Sequence, residues 1–298
     1  MISGIMNVYK EKGFTSHDVV AKMRGILKQK KIGHTGTLDP AAEGVLPVCL
    51  GAGTKLCDML TDTDKTYRAV LLLGQTTDTQ DTTGTLLSTA PVTCDEEQVR
   101  ACILSFQGEY DQIPPMYSAL KVQGKKLYEL ARAGVEVERA ARRVVIREIT
   151  IEHMELPEVT LTVSCSKGTY IRTLCHDIGE KLGCGGCMKS LMRTRVGSFS
   201  VEQSLKLADI EALRDRGELM EHVIPVDQMF PELFRAHVLP EFDKLIKNGN
   251  PVKCVQLREL PDPSAHSRLR VYDCRGKFCG IFRWEERKNC YMPEKMFL

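Results

Sequence analysis

The sequence predicts an α+β protein of two unequal parts, and three features carry that expectation. Val144–Leu156 and Val159–Cys165 alternate apolar and polar residues over lengths that suit two antiparallel strands. Val19, Val20, Met23, Ile26 and Leu27 fall on one face of a helix, as do Ile171, Leu174, Ile178 and Leu182 further on. From about Phe234 the pattern changes to short strands separated by turn signals. A chain of 298 residues has room for one large and one small domain. The division is placed at 1–230 and 231–298, where Pro225–Pro231 marks a linker-like shift in composition.

Hydrophobic content of 43% and charged content of 27% are ordinary for a soluble globular protein. No apolar run has the length of a membrane span, and Met1–Lys10 lacks a signal-peptide pattern, so a cytoplasmic protein is expected. A net charge of +2 argues neither for nor against nucleic acid. Its distribution says more. Lys22, Arg24, Lys28, Lys30 and Lys31 form one basic cluster, Arg139, Arg142, Arg143 and Arg147 a second, and Lys189, Arg193 and Arg195 a third. Each alone reads as a solvated face; beside a catalytic carboxylate they suit a phosphate backbone. The twelve cysteines read as reduced, mostly small buried apolar residues.

In chain order, Gly4–Lys10 is a short strand, and Ser16 can cap the first helix. Gly33–Lys55 follows, turn-rich around Gly33, Gly36 and Pro40, with most of Ala41–Leu50 apolar enough to be buried. Asp39 at its centre has two readings. With Pro40 behind it, it suits a helix N-cap; on a rigid turn it suits a nucleophile or base. Gly51-x-Gly53-x-Lys55 is not a phosphate loop, because the Gly-Lys-Ser/Thr spacing is missing. Tyr67–Gly74 is a strand, Gln75–Gly84 a Thr/Asp-rich loop and Glu96–Phe106 a helix. Pro114-Pro115 forces an extended, exposed segment ahead of a short basic helix, together resembling a binding flap.

Beyond the long strand pair, Ser166-Lys167-Gly168 turns the chain, Thr169 can cap the next helix and Gly183 ends it. Arg172, at that helix's start, opposes the helix dipole, which points to a specific partner elsewhere. Cys184-Gly-Gly-Cys187 has zinc-ligand spacing, and His153-Met-Glu155 upstream mimics the layout of zinc nucleobase deaminases. Their contexts are wrong: His153 lies in a strand pattern, and Cys184 follows a helix end with no Pro before it. Asp209–His222 is a helix. In the tail, Asn248-Gly249-Asn250 is a turn, Arg268–Asp273 and Phe278–Trp284 are strands around an Arg275-Gly276 hairpin, and Pro261–Ser267 is a loop.

GHTGTLDPAAEGVLPVCLGAGTK resembles the signature of the TruB-type tRNA pseudouridine synthases. Lys65-Thr66-Tyr67, QIPPMYSALK, SKGTYIRTL and the block from Leu191 to Phe199 are similar to further motifs of that family, in order, across residues 1 to 230. The resemblance implies a mixed domain built on a largely antiparallel sheet, with the active-site cleft across it. It implies Asp39 as nucleophile, Tyr67 against the target base, and Arg172 paired with Asp39. It also implies that His34 sits on a loop entering the RNA, that Leu191 walls the base site, and that Lys55 and Tyr170 support the site. The tail resembles, more weakly, the small β-barrel PUA module, with Arg283, Arg287 and Lys288 on an RNA-facing edge. The implied activity converts uridine 55 in the T loop of tRNA to pseudouridine. The expected enzyme is a monomer acting on the T-arm, with no cofactor, no metal and no guide RNA, since AAEGVLPVCLGAGTK fits the stand-alone bacterial branch. A non-catalytic RNA-binding or tRNA-folding protein and a zinc-dependent nucleobase deaminase are the competing readings.

Overall fold

Strand β1 (Gly4–Lys10) is buried along nearly its whole length, and helix α1 (Ser16–Leu27) follows it. Thr15, one residue before the expected Ser16, caps that helix in a capping box with Asp18. Ser16 is instead fully buried and used elsewhere. β2 (Ile32–His34), β3 (Glu43–Leu50) and the short α2 (Cys57–Thr61) come next. β4 (Lys65–Leu73) leads to a hairpin, β5 (Gln75–Thr77) with β6 (Leu86–Thr89), where the sequence suggested only a loop. α3 (Glu96–Leu104) and β7 (Gly108–Gln112) precede the Pro114 segment, which holds the small hairpin β8 (Lys121–Val122) and β9 (Lys125–Lys126) and helix α4 (Leu127–Arg132). The structure, a computed structural model, describes residues 1–122 and 124–298.

The expected long pair is β10 (Arg142–Glu155) against β11 (Glu158–Cys165), antiparallel as its alternation implied. Helix α5 (Ile171–Leu182) ends at Gly183, whose φ of 76° closes the last turn as glycine readily does. β12 (Gly186–Val196), β13 (Phe199–Ser200) and α6 (Leu207–Arg216) complete the large part. The helix expected over Asp209–His222 thus ends at Gly217, and 219–222 is a separate 3-10 turn. The tail contains β14 (Phe234–His237), α7 (Asp243–Lys247), β15 (Arg268–Tyr272), β16 (Phe278–Glu285) and β17 (Cys290–Met296).

One sheet organises the large part, in the order β1-β3-β12-β4-β11-β10-β7, with β2 also on β3 and β13 on β12. All its pairings are antiparallel except β3 with β12. That exception decides where the site lies. Val48–Leu50 of β3 pair with β2, while Glu43 and Gly44 pair with Met192 and Arg193 of β12. The chain from Thr35 to Ala42 leaves the sheet between these partners and carries Asp39. Gly44 permits the close approach: at φ 106°, a Cβ would lie 2.2 Å from the Arg193 carbonyl oxygen.

Helices α3 and α5 cover β4, β10 and β11, whereas α1 and α6 cover β1 and β3. Leu174 and Ile178 of α5 are fully buried, each worth about 1.5–3 kcal/mol on the scale of apolar burial. The tail's sheet runs β14-β15-β16-β17, parallel only between the first two. It does not close strand to strand into the expected barrel. The segment between β14 and β15 instead touches both sides, Val252 bridging Tyr291 of β17 and Leu257 bridging Val238 just past β14. Ile281, Phe297 and Phe278 of this part pack with Ile5, Val45 and Phe230 in one apolar cluster, so the two sheets share a core seam.

Candidate active site

Asp39 caps no helix. Residues 39–42 form a β-turn, with the Ala42 amide donating to the Asp39 carbonyl at 3.0 Å and Pro40 at its second position. β3 begins immediately afterwards, so the helix-cap reading is overturned by a strand whose partners are already in place. The turn is anchored from below. Ser16 Oγ accepts the Leu38 amide at 2.9 Å, and the Gly13 amide donates to the Pro40 carbonyl at 2.8 Å.

Two buried cations hold the same backbone. Lys10, at the end of β1, is fully buried; its Nζ donates to the Ala42 carbonyl at 2.5 Å and more weakly to those of Pro40 and Glu11. Arg193 of β12 is 1% exposed; its Nε donates to the Val45 carbonyl at 2.7 Å and its Nη2 to that of Gly36 at 3.2 Å. Burial pulls the Lys10 ammonium down to about 8, with Asp39 opposing and Arg193 reinforcing that fall.

The Asp39 carboxylate is itself held by the partner that the sequence suggested. Arg172 Nε lies 3.0 Å from Asp39 Oδ2. The contact is single, not a two-point fork, because Nη1 donates to the Thr79 carbonyl at 3.0 Å and Nη2 to the Tyr117 carbonyl at 2.8 Å. Arg172 thereby ties the Asp39 turn to the β5–β6 hairpin and to the Pro114 segment. Asp81 of the same hairpin is buried, with Oδ2 3.9 Å from Arg172 Nη1. Burial pushes the Asp39 carboxyl above the ordinary carboxylate range and Asp81 adds to this; Arg172 and Lys10 oppose it.

The start of α5 that presents Arg172 has no side-chain cap, and Thr169 turns away to donate to the Ser166 carbonyl. Gln112 of β7 holds the residue before the helix: its Oε1 accepts the Tyr170 amide at 2.7 Å and its Nε2 donates to the Tyr170 carbonyl at 3.0 Å. Tyr170 is half-buried beside Ser118 and Arg172, and burial pushes its phenol up. Tyr67 is buried with Leu38 and Ala42, and Leu191 packs against this cluster from β12. His34 is half-buried, edge-on to His17 at 5.5 Å between ring centres. Its Nδ1 accepts the Gly36 amide at 3.3 Å, and burial, His17 and Arg193 hold the ring below its ordinary value, favouring a neutral imidazole.

Asp39, Arg172, Tyr67, Tyr170, Leu191 and His34 therefore gather around one turn. Lys55 does not join them. Its Nζ donates to the Met296 carbonyl at 2.8 Å and the Leu298 carbonyl at 3.3 Å, so it fastens the end of the tail. Lys10, Asp81 and Gln112 were not expected at the site, and Arg193, expected in an exposed basic cluster, is buried instead. A signal existed for two of them: Lys10 ends a mostly apolar strand, and Arg193 is in strand phase with Leu191. Of the three basic clusters, the first is exposed throughout, whereas the third divides, with Lys189 and Arg195 outside and Arg193 buried.

His153 stands exposed on β10, and Cys184 and Cys187 are buried in the sheet and its helix layer. Among the described residues no three His, Cys, Asp or Glu side chains are grouped as metal ligands. None of the described helices is long and apolar enough to cross a membrane.

Residues 24–171 match the TruB family pseudouridylate synthase N-terminal domain, and residues 172–231 match the tRNA pseudouridylate synthase B C-terminal domain. A tRNA pseudouridine synthase B of Lachnoclostridium phytofermentans is 54% identical over the whole of both chains. Another, of Clostridium tetani, is 47% identical over 94% of this chain and 95% of its own. Among solved structures, a chain of a Cbf5-Nop10-Gar1 complex superposes with a TM-score of 0.71 at 25% identity, covering 99% of this chain and 85% of that one. A chain of an H/ACA RNP bound to a substrate RNA containing 2'-deoxyuridine, 22% identical with a TM-score of 0.69 over 99% and 85%, shares the fold.

Proposed function

The chain belongs to the TruB family of pseudouridylate synthases, and on that premise we propose that it isomerises uridine 55 in the T loop of tRNA, with Asp39 as nucleophile. The observation that carries this reading is the Asp39 carboxylate, 3.0 Å from Arg172 Nε on a turn anchored by buried cations. A nucleophile must be ionised and fixed in place, and Arg172 and Lys10 oppose the neutral form that burial favours.

In the proposed reaction the uridine leaves its stack, and His34, neutral and half-buried, helps to fill its place. The Asp39 carboxylate attacks the nucleotide and the glycosidic bond breaks. The uracil turns between Tyr67 and Leu191, and its C5 bonds to the sugar. Tyr67 takes the C5 proton while N1 gains one, so the product is an isomer and the chemistry is redox-neutral. The T-arm is the recognised element, its phosphates meeting the exposed lysines of the first basic cluster, and affinity falls with added salt. The tail, 231–298, acts as a second RNA-binding module through Arg283, Arg287 and Lys288, all exposed. The enzyme works as a monomer in the cytoplasm without a guide RNA.

Tritium release from tRNA transcripts labelled at uracil C5 tests the assignment. Release that persists in EDTA and is lost when uridine 55 is replaced is the expected result. Asp39→Asn should bind tRNA within about threefold of wild type and release nothing, the signature of a group acting only in the chemical step. Tight binding by the wild type without release would favour the RNA-binding reading.

A further inference from the structure

Arg193 is a buried charge without a counter-ion. No carboxylate of the described residues lies within ion-pair distance of its guanidinium, which is engaged with the Val45 and Gly36 carbonyls. Burying a cation in this way is costly, and neutral carbonyls recover only part of the lost hydration. Arg193 and Tyr67 are direct cross-strand partners on β12 and β4, so their side chains stand side by side on one face of the sheet, and the guanidinium favours the ionised phenol. The arginine backbone is equally constrained, since Gly44 packs directly on its carbonyl. Hydrogen bonds to two different segments and a close main-chain contact leave the guanidinium little freedom to move.

We propose that Arg193 is a positioning residue for Tyr67: it orients the phenol and supplies the positive charge that a transient Tyr67 phenolate needs in order to remove the C5 proton. This rests on the reading above, in which Tyr67 faces the uracil. In the step served, the Tyr67 phenolate takes the proton from C5 of the relinked uracil. The C5–H electron pair restores the C5–C6 double bond, the phenol is regenerated, and N1 takes up a proton from water. The proton lost when Tyr67 ionises passes to solvent, so the protons balance.

The surroundings fit this use. Tyr67 is faced by Arg193, Cys165 and Asp39, and Arg193 by Lys10, His34 and Lys65 besides. Burial pushes the resting phenol up, and Arg193 is the largest influence against it. The phenolate is therefore a visitor, and the arginine is the group that makes the visit possible. A cation already fixed in place needs no reorganisation when the negative charge develops.

The test compares wild type, Arg193→Met and Arg193→Lys in single turnover, on tRNA transcripts carrying hydrogen or deuterium at C5 of uridine 55. Arg193→Met should bind tRNA within about threefold of wild type and react about 100-fold more slowly, the usual scale of a lost proton-transfer aid. Its deuterium effect should exceed that of wild type by about twofold or more, because C5 proton removal becomes limiting. Arg193→Lys should recover about tenfold of the rate, keeping the charge but not the geometry. A folded variant with the wild-type deuterium effect overturns the proposal, since a merely structural role leaves the limiting step unchanged. If circular dichroism shows Arg193→Met unfolded, Arg193→Lys decides on the same criterion. Tyr67→Phe separates the two layers of argument. Wild-type turnover by that variant sinks the reading of Tyr67 as base, and with it the role of Arg193. An inactive Tyr67→Phe beside Arg193 variants with unchanged deuterium effects sinks the role of Arg193 alone.

Discussion

The Asp39 turn and the seam beneath the tail are built from the same contact, a lysine or arginine donating to main-chain carbonyls, yet they do different things. At the turn the donors are Lys10, Arg193 and Arg172, all buried; the first two hold the backbone of the segment that carries Asp39, and Arg172 touches its carboxylate. At the seam Lys55 reaches the Met296 and Leu298 carbonyls, and Arg270 reaches those of Leu233 and Asp227. Water reaches these half-exposed groups. Burial makes the difference. A cation shut away from solvent sets the protonation and position of its neighbours, whereas a half-exposed one acts mainly as a fastener.

The largest effect that separates the two regions should come from Arg172→Met. It leaves Asp39 and the buried Asp81 facing each other without their shared cation and releases the Thr79 and Tyr117 carbonyls. The single-turnover rate should fall by about 10³-fold, in the range found when a preorganised charge partner is removed. Arg172 normally opposes protonation of Asp39. Its loss should therefore move the acid limb of the pH–rate profile to higher pH. A rate within tenfold of wild type would show that the carboxylate does not depend on this arginine.

Lys10→Met should act next, by about tenfold on rate, with about 1–3 kcal/mol of stability lost because buried carbonyls are left unsatisfied. Its pH signature is distinctive. The Lys10 ammonium falls from 10.5 to about 8 on folding. Between those values the unfolded chain holds a proton that the folded chain has released, so wild-type stability rises with pH there. Below about 8 both states are charged and the burial penalty is constant. Urea denaturation from pH 7.5 to 10.5 should show wild type gaining on the variant; a constant difference would place the Lys10 charge in water. Lys55→Met should do least, leaving turnover within about threefold and lowering the melting temperature by about 2 °C. A large loss of rate would return Lys55 to the active site.

Much of this was legible from local pattern. β1, β10, β11 and α5 follow from alternation or helical spacing, and the end of α5 from Gly183. The misfit of Arg172 with its helix dipole correctly signalled a partner at a distance. Local reasoning misled at Asp39, where Asp-Pro starts a turn before a strand, and at Ser16 and Thr169, whose hydroxyls serve neighbouring backbone rather than caps. The cap role passed to Thr15 in one case; in the other the helix start is left without a side-chain cap, and Gln112, 58 positions away, holds the Tyr170 backbone. The tail's strands were visible but their incomplete closure was not, because which edges meet depends on contacts between distant segments.

The sequence by itself determined the periodic elements, the turn around Asp39 and the set of polar side chains available to it. It could do so because hydrophobic spacing and turn chemistry act over a few residues. Tertiary structure alone decided that Lys10, Asp81, Arg172 and Arg193 meet at that turn while Lys55 goes to the tail. Their charges are indistinguishable in a list of basic and acidic residues. They become different only when the sheet, split between β2 and β12 along β3, removes some from water and leaves others in it.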